Sequence, residues 1–239
     1  RRMEALGRQE LRDYYNILVG DTLNQELSKL LNVLTTTETY FFRNTQQLQS
    51  FEKEIIPTLL QRKREAGISH LHIWSAGCSS GEEPYTLAML LLEAIPDIQH
   101  WRISIVATDI NTNVIEKAKE GVYPVRSLRD TPRRYKKKYF TPEGESYRIN
   151  DQVKKMVSFR TGNLIVPDDT ALIQNVDCIF CRNVLIYFDV ETCREVVNMF
   201  HERMARNGYL FLGHSESLYR ITTIFQLLKL QHSLVYYKE

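Results

Sequence analysis

Apolar positions recur at two periods along this chain, and the alternation of those periods divides it into elements. From residue 1 to about 34 the spacing is helical, with Leu23, Leu27, Leu30, Leu31 and Leu34 at three- and four-residue steps. Gly20-Asp21-Thr22 interrupts that stretch and offers a cap to the helix that follows. A polar run, Thr35-Thr36-Thr37-Glu38-Thr39, then leads into Tyr40-Phe41-Phe42-Arg43. From residue 51 helical and extended patterns take turns. Strands are predicted at 71–75, 103–108, 156–160, 176–181 and 208–213, with a final pair at 224–230 and 232–237 separated almost only by Gln231. Helices are predicted at 51–65, 82–94, 112–119 and 191–205. The last carries Val196, Val197, Phe200 and Met204 on one face, with Asp189 as its cap. Strands alternating with helices imply an α/β protein with a largely parallel sheet, which a terminal hairpin would close with an antiparallel strand.

One interval breaks the alternation. Residues 122–158 hold ten Lys or Arg and four acids, a formal charge of +6, whereas the whole 239-residue chain carries +2. So uneven a distribution suggests a docking surface for an acidic partner. The remaining composition mostly excludes. No stretch reaches the roughly 18 uninterrupted apolar residues of a membrane span, and Arg1-Arg2-Met3-Glu4 has no apolar signal core. A cytoplasmic protein is expected, and the missing initiator methionine suggests a trimmed fragment. Four cysteines do not make a disulfide framework. Cys178 and Cys181 lie three apart in a strand, on opposite faces, with no second pair or nearby histidine to complete a zinc site, so two buried cysteines are expected.

The candidate chemistry sits where Trp74-Ser75-Ala76 runs into Gly77-Cys78-Ser79-Ser80-Gly81 and the helix opened by Glu82-Glu83. A strand delivering a glycine turn onto a helix N-terminus exposes backbone N–H groups to a ligand. The next strand ends in Thr108-Asp109-Ile110, where a carboxylate is placed to accept bonds from ribose hydroxyls. The turn also matches G-x-S-x-G, the nucleophile elbow of α/β-hydrolases, with Asp189 and His214 following in the required order. Glu82 and Glu83 argue against a hydrolase, because they would oppose a developing oxyanion.

On these residues the chain resembles the CheR-type chemotaxis receptor methyltransferases. The resemblance rests on six motifs in the family's order: Glu38-Thr39-Tyr40-Phe41-Phe42-Arg43, Gly77 to Tyr85, Thr108-Asp109-Ile110, Gly162-Asn163-Leu164, Cys181 to Phe188 with Arg182-Asn183 and Tyr187, and Gly213-His214-Ser215-Glu216. It implies a class I S-adenosyl-L-methionine-dependent methyltransferase, Rossmann-like, with a mostly parallel seven-stranded sheet and a closing antiparallel hairpin. It also implies a truncated N-terminal helical domain over 1–34, a catalytic domain over 35–239 and an inserted basic β-subdomain over 122–158. The activity implied is O-methylation of glutamate side chains on the cytoplasmic helical bundle of chemotaxis receptors, leaving S-adenosyl-L-homocysteine.

The resemblance assigns Thr37, Thr39 and Arg43 to the cofactor's amino-acid end and the reaction site, and Glu82 to a contact through the glycine turn. Asp109 is assigned to the ribose, Asn163 and Leu164 to the adenine edge, and Arg182, Asn183 and Tyr187 to the tip of the fourth predicted strand, beside the transferable methyl. Arg43 and Tyr187 are the expected catalytic residues. Thr37 stands where many members have Asn, and a hydroxyl cannot replace both ends of an amide. A glutamate acceptor is already ionised near neutrality, so alignment and desolvation suffice and neither a metal nor a general base is required. A binding-only protein and a nucleic-acid methyltransferase are the competing readings. Arg43 and Tyr187 oppose the first, and Arg182-Asn183 without an Asn-Pro-Pro-Tyr sequence opposes the second. Phe140 to Tyr147 carries only Gly144, whereas the tether-binding members are glycine-rich there. A monomer that docks without a C-terminal tether peptide is therefore expected, through Lys136, Lys137, Lys138, Arg1 and Arg2, with no nucleic acid and no membrane insertion.

Overall fold

The computed structural model describes residues 2–22, 25–35 and 37–239, so the expectations for Arg1, Leu23 and Thr36 lie outside the described residues. Among the described residues ten strands follow in chain order: β1 (His70–Ala76), β2 (Arg102–Asp109), β3 (Val122–Pro124), β4 (Phe140–Glu143), β5 (Ser146–Ile149), β6 (Val157–Thr161), β7 (Val176–Cys181), β8 (Met204–Leu212), β9 (Gln226–Lys229) and β10 (Leu234–Tyr237). Seven of them form one sheet in the order β6-β2-β1-β7-β8-β10-β9. The first five of these pair in parallel, and β10 runs antiparallel to both β8 and β9. This is the expected class I methyltransferase sheet. Its order reverses between β1 and β7, and ligands bind α/β sheets in the crevice beyond the strand ends at such a reversal.

The main helices are α1 (Arg2–Ala5), α2 (Leu11–Val19), α3 (Gln25–Leu34), α4 (Thr45–Ser50), α5 (Ile56–Glu65), α6 (Glu82–Ala94), α7 (Thr112–Glu120), α8 (Arg133–Tyr139), α9 (Asp151–Lys154) and α10 (Val190–Arg203). Asp21 caps α3 as expected, accepting from the amides of Gln25, Glu26 and Leu27. The helix predicted from residue 51 begins earlier, at Thr45, and a π-helical turn over Phe51–Ile55 joins α4 to α5. Strand β8 also begins earlier than predicted, because α10 passes into it without a loop. A register shift opposite Val176 and Cys178, with Asn207 at φ 58°, accommodates that entry.

Alternate residues of the central strands feed two cores. Leu71 and Ile73 of β1 join Cys178 and Phe180 of β7 beneath α4, α5 and α6. Trp74 and Ala76 join Ile179 and Cys181 against Val196, Val197 and Phe200 of α10. Cys178 and Cys181 are thus buried and unpaired on opposite faces. Helix α6 is buried nearly all round, from Pro84 to Leu91, because the sheet covers one side and the insertion the other. Within the insertion β3, β5 and β4 form a second sheet. Its Tyr123, Tyr135, Tyr139, Phe140 and Ile149 share one cluster with Phe41 and Phe42. These aromatics are spent on packing, which removes them as stacking platforms for nucleic-acid bases. No described helix is long and apolar enough to cross a membrane.

A buried ion pair fixes the ends of the central strands opposite the crevice. Lys63 of α5 lies 2.8 Å from Asp177, whose second oxygen accepts from the His72 amide at 2.9 Å. Removing one member of such a pair leaves an uncompensated buried charge. Lys63→Ala should therefore lower the unfolding free energy by about 3–5 kcal/mol in urea titration; an unchanged midpoint would show that Asp177 finds another partner.

Candidate active site at the strand tips

The glycine turn leaves β1 under two constraints. Gly77 has φ +77°, and a Cβ there would fall 2.3 Å from Val184 Cγ2, so only glycine lets the tips of β1 and β7 approach this closely. The amides of Gly77 and Cys78 both donate to the Thr108 carbonyl at 2.8 and 2.9 Å, laying the turn on the end of β2. Asp109 completes the junction. One of its oxygens accepts from the Ser79 amide at 2.8 Å and the other from the Asn111 amide at 2.9 Å. Burial raises its pKa, and the Asn111 and Ser79 amides partly offset that rise.

The two glutamates after the turn diverge. Glu82 is buried, but its carboxylate accepts from Ser80 Oγ at 2.7 Å and Ser127 Oγ at 3.2 Å and lines a neighbouring cavity of about 470 Å³. Glu83 instead faces the main cavity. It accepts from Ser75 Oγ at 2.7 Å and pairs with Arg182 at 3.2 Å, the Arg182 side chain being 4% exposed. Burial raises the Glu83 pKa and Arg182 opposes it; burial lowers that of Arg182, with Glu83 opposing. The sequence motif alone could not choose between the two acids. Adjacent residues on a helix point about 100° apart, and α6 has no exposed stripe to set its phase. A buried arginine needing a carboxylate was the signal that could have identified Glu83.

Arg182 also donates to the Arg43 carbonyl at 2.7 Å, tying the segment around residues 38–44 to the tip of β7. That segment is held in an unusual shape. Phe42 and Asn44 both adopt left-handed φ, 60° and 62°, on either side of Arg43. The Phe41 amide donates to Ser127 O, and the Phe42 amide to Thr86 Oγ1 at 3.2 Å. Arg43 donates to Glu38 O at 3.1 Å, and its guanidinium lies 5.7 Å from the Tyr40 ring centroid, while Arg129 of the insertion packs on that ring at 3.7 Å.

These elements enclose a cavity of about 520 Å³. Among the expected site residues, Thr37, Thr39, Arg43, Asp109, Asn163, Leu164, Arg182, Asn183 and Tyr187 line it; Glu82 does not. Sequence reasoning missed Glu83, Tyr40 and the apolar wall made by Leu31, Leu34, Leu48, Val184 and Phe188. The hydrolase constellation does not form. Ser79 Oγ donates to Thr37 O, Asp189 caps α10 through the Thr192 amide at 2.8 Å, and His214 is exposed and bonded to neither.

The sequence profile of the CheR methyltransferase, SAM binding domain, matches residues 37–234. The chain is 39% identical over 238 residues to chemotaxis protein methyltransferase 2 of Vibrio cholerae serotype O1, covering 99% of this chain and 82% of that protein. It is 36% identical over 218 residues to the chemotaxis protein methyltransferase of Borreliella burgdorferi, covering 90% and 77%. It is 35% identical over 223 residues to chemotaxis protein methyltransferase 2 of Pseudomonas aeruginosa, covering 91% and 75%.

The contact between the β1 and β7 tips can be tested without any ligand. Gly77→Ala adds left-handed strain, of about 1–3 kcal/mol, and a clash with Val184, so a stability loss of at least about 2 kcal/mol is expected in urea titration. A wild-type midpoint would show that the two tips are free to separate.

Proposed function

Because this chain belongs to the CheR methyltransferase family, we propose that it methylates glutamate side chains on the cytoplasmic helical bundle of chemotaxis receptors, with S-adenosyl-L-methionine as methyl donor. The observation that carries this reading is the convergence of Asp109, Glu83, Arg182, Arg43 and Tyr187 on one cavity at the reversal of strand order. The donor set fits the cofactor. Asp109 offers a part-buried carboxylate for hydroxyls, and Asn163 and Leu164 frame the crevice on the β6 side. Thr37 and Thr39 line the same cavity beside Arg43. The buried Nε of Arg182 has no hydrogen-bond partner among the described residues, which leaves a donor available beside Glu83. Glu83 takes the place first given to Glu82, since its carboxylate is the one that reaches the cavity.

When bound, the cofactor supplies an electrophilic methyl on a sulfonium. The chain's own groups orient and desolvate. Arg43 holds the acceptor carboxylate by charge-assisted bonds, Asn183 borders the reacting end, and the Tyr187 hydroxyl positions the pair. A glutamate with a pKa near about 4.3 is ionised at neutral pH and gives up no proton. The apolar wall keeps water out, which favours a reaction that neutralises charge.

Docking rests on charge. Of the basic residues first expected to meet the receptor, Arg2 pairs with Glu26, Lys138 with Glu93, and Lys136 packs on the Tyr147 ring. Among the described residues Lys137 has no such partner, nor do Arg126, Arg133 and Lys155 of the same insertion, and these four are the better candidates. Strands β4 and β5 turn at Gly144-Glu145, a short connection without a glycine-rich loop, which supports docking independent of a tether peptide.

Two measurements test this reading. In titration calorimetry with S-adenosyl-L-homocysteine, Asp109→Ala should lose about 1.5–3 kcal/mol, as for hydrogen bonds to a charged group. Because the Asp109 pKa is raised and its carboxylate is the accepting form, wild-type affinity should fall on acidification sooner than an ordinary aspartate would dictate. Retained affinity in the variant would remove Asp109 from the pocket. In the second measurement, radiolabelled methyl transfer onto receptor cytoplasmic fragments should give a base-labile product. Arg43→Ala and Tyr187→Phe should cut turnover by up to about 100-fold while changing cofactor affinity far less. Transfer should weaken with salt and be indifferent to removal of the receptor tail. A base-stable label would overturn glutamyl ester chemistry.

A further inference from the structure

We propose that Glu216 is a positioning residue for methyl transfer: its carboxylate gathers four backbone N–H groups from the loops after β7 and β8 and so fixes the turn that presents Asn183 and Tyr187. The structural part stands on geometry alone; only its catalytic consequence rests on the function proposed above. One oxygen of Glu216 accepts from the amides of Gly213 at 2.6 Å and Asn183 at 2.7 Å. The other accepts from Val184 at 2.9 Å and Ile186 at 3.3 Å.

Asn183 has φ +60°, and Val184 follows in a right-handed conformation. Opposite-handed neighbours turn successive N–H groups toward one point, forming a concave anion site. Glu216 fills that site from within the chain. The same amides open the short helical turn Leu185–Tyr187, whose first donors have no partner inside the turn. Gly213 permits the approach, since a Cβ there would lie 2.6 Å from the Glu216 carboxylate and 2.9 Å from the Asn183 amide.

The consequence falls on Tyr187. Its side chain is exposed and makes no hydrogen bond of its own among the described residues, so its place over the cavity is set by the backbone of the turn. That backbone is set by Glu216. Four N–H donors need an acceptor on every side, which a carboxylate supplies and a carboxamide does not, because Gln would turn an NH2 toward two of them. Of the motif Gly213-His214-Ser215-Glu216, the two ends make the contact, while His214 and Ser215 are exposed.

The test compares Glu216→Gln with Glu216→Asp, which keeps the charge on a shorter arm, in the full chain. Amide hydrogen exchange at Gly213, Asn183, Val184 and Ile186 should accelerate by at least about tenfold in Glu216→Gln, since a charge-assisted bond is worth at least about 1.5 kcal/mol. S-adenosyl-L-homocysteine affinity should change less than about fivefold, and turnover on receptor fragments should fall about 100-fold, as for a reacting group moved by about 1 Å. Glu216→Asp should recover part of both losses. Unchanged exchange at the four amides in the Gln variant, or wild-type turnover with accelerated exchange, would overturn the proposal. If wild-type protein transfers no methyl group to receptor fragments, the functional reading fails, and the exchange measurement still decides whether the clamp exists. Should Glu216→Gln fail to fold, Glu216→Asp carries the same measurements, and wild-type values in it would overturn the proposal.

Discussion

Backbone N–H groups at the ends of parallel strands have no ladder partner, and at a crevice that must also admit a ligand they cannot all be left to water. A buried donor without an acceptor costs about 1–3 kcal/mol. This protein meets that demand with carboxylates. Asp109 serves the turn after β1, Asp169 accepts from the Asn163 amide after β6, and Glu216 serves the loops after β7 and β8. Each is acceptor-only and bonds through charge-assisted contacts, about twice as strong as neutral ones. The crevice is therefore rigid at its rim although it consists of loops.

A second consequence is electrostatic. Carboxylates drawn into the tips raise the cost of ionisation, as Asp109 and Glu83 show by their raised pKa values. The buried Arg182 beside Glu83 offsets part of that cost and with its other terminal nitrogen holds the Arg43 carbonyl. The cavity is thus lined by two acids and two guanidinium groups, with Glu83 and Arg182 paired to each other and Asp109 bonded to backbone amides.

The insertion contributes by packing rather than by chemistry. Phe41 meets Tyr123 and Phe140 edge-on at 4.8 and 4.9 Å, and Phe42 meets Tyr135 at 4.6 Å. These contacts hold the 38–44 segment in its left-handed bends, so the small sheet and the site are mechanically one unit. Several of its cations are consumed locally, by Glu93, by Glu143 and by the Tyr40 and Tyr147 rings. What remains for a partner is a smaller basic surface than the charge count implies.

The alternation of periods in the sequence determined the fold class, because a strand or helix must bury its apolar residues at its own repeat whatever surrounds it. It also located the glycine turn and Asp109, since turn residues and strand-end acids are local signals, whereas Arg182-Asn183 stood out only through the family resemblance. It could not decide between Glu82 and Glu83. Helix α6 is covered on both sides, so its burial pattern has no phase, and only the position of Arg182, 99 residues later, selects the acid that faces the cavity. Nor could it show what Glu216 does, since its four partners come from the ends of two different strands and meet only when β7 and β8 lie side by side. Local chemistry is legible residue by residue; partnership across the sheet is decided by which strands become neighbours.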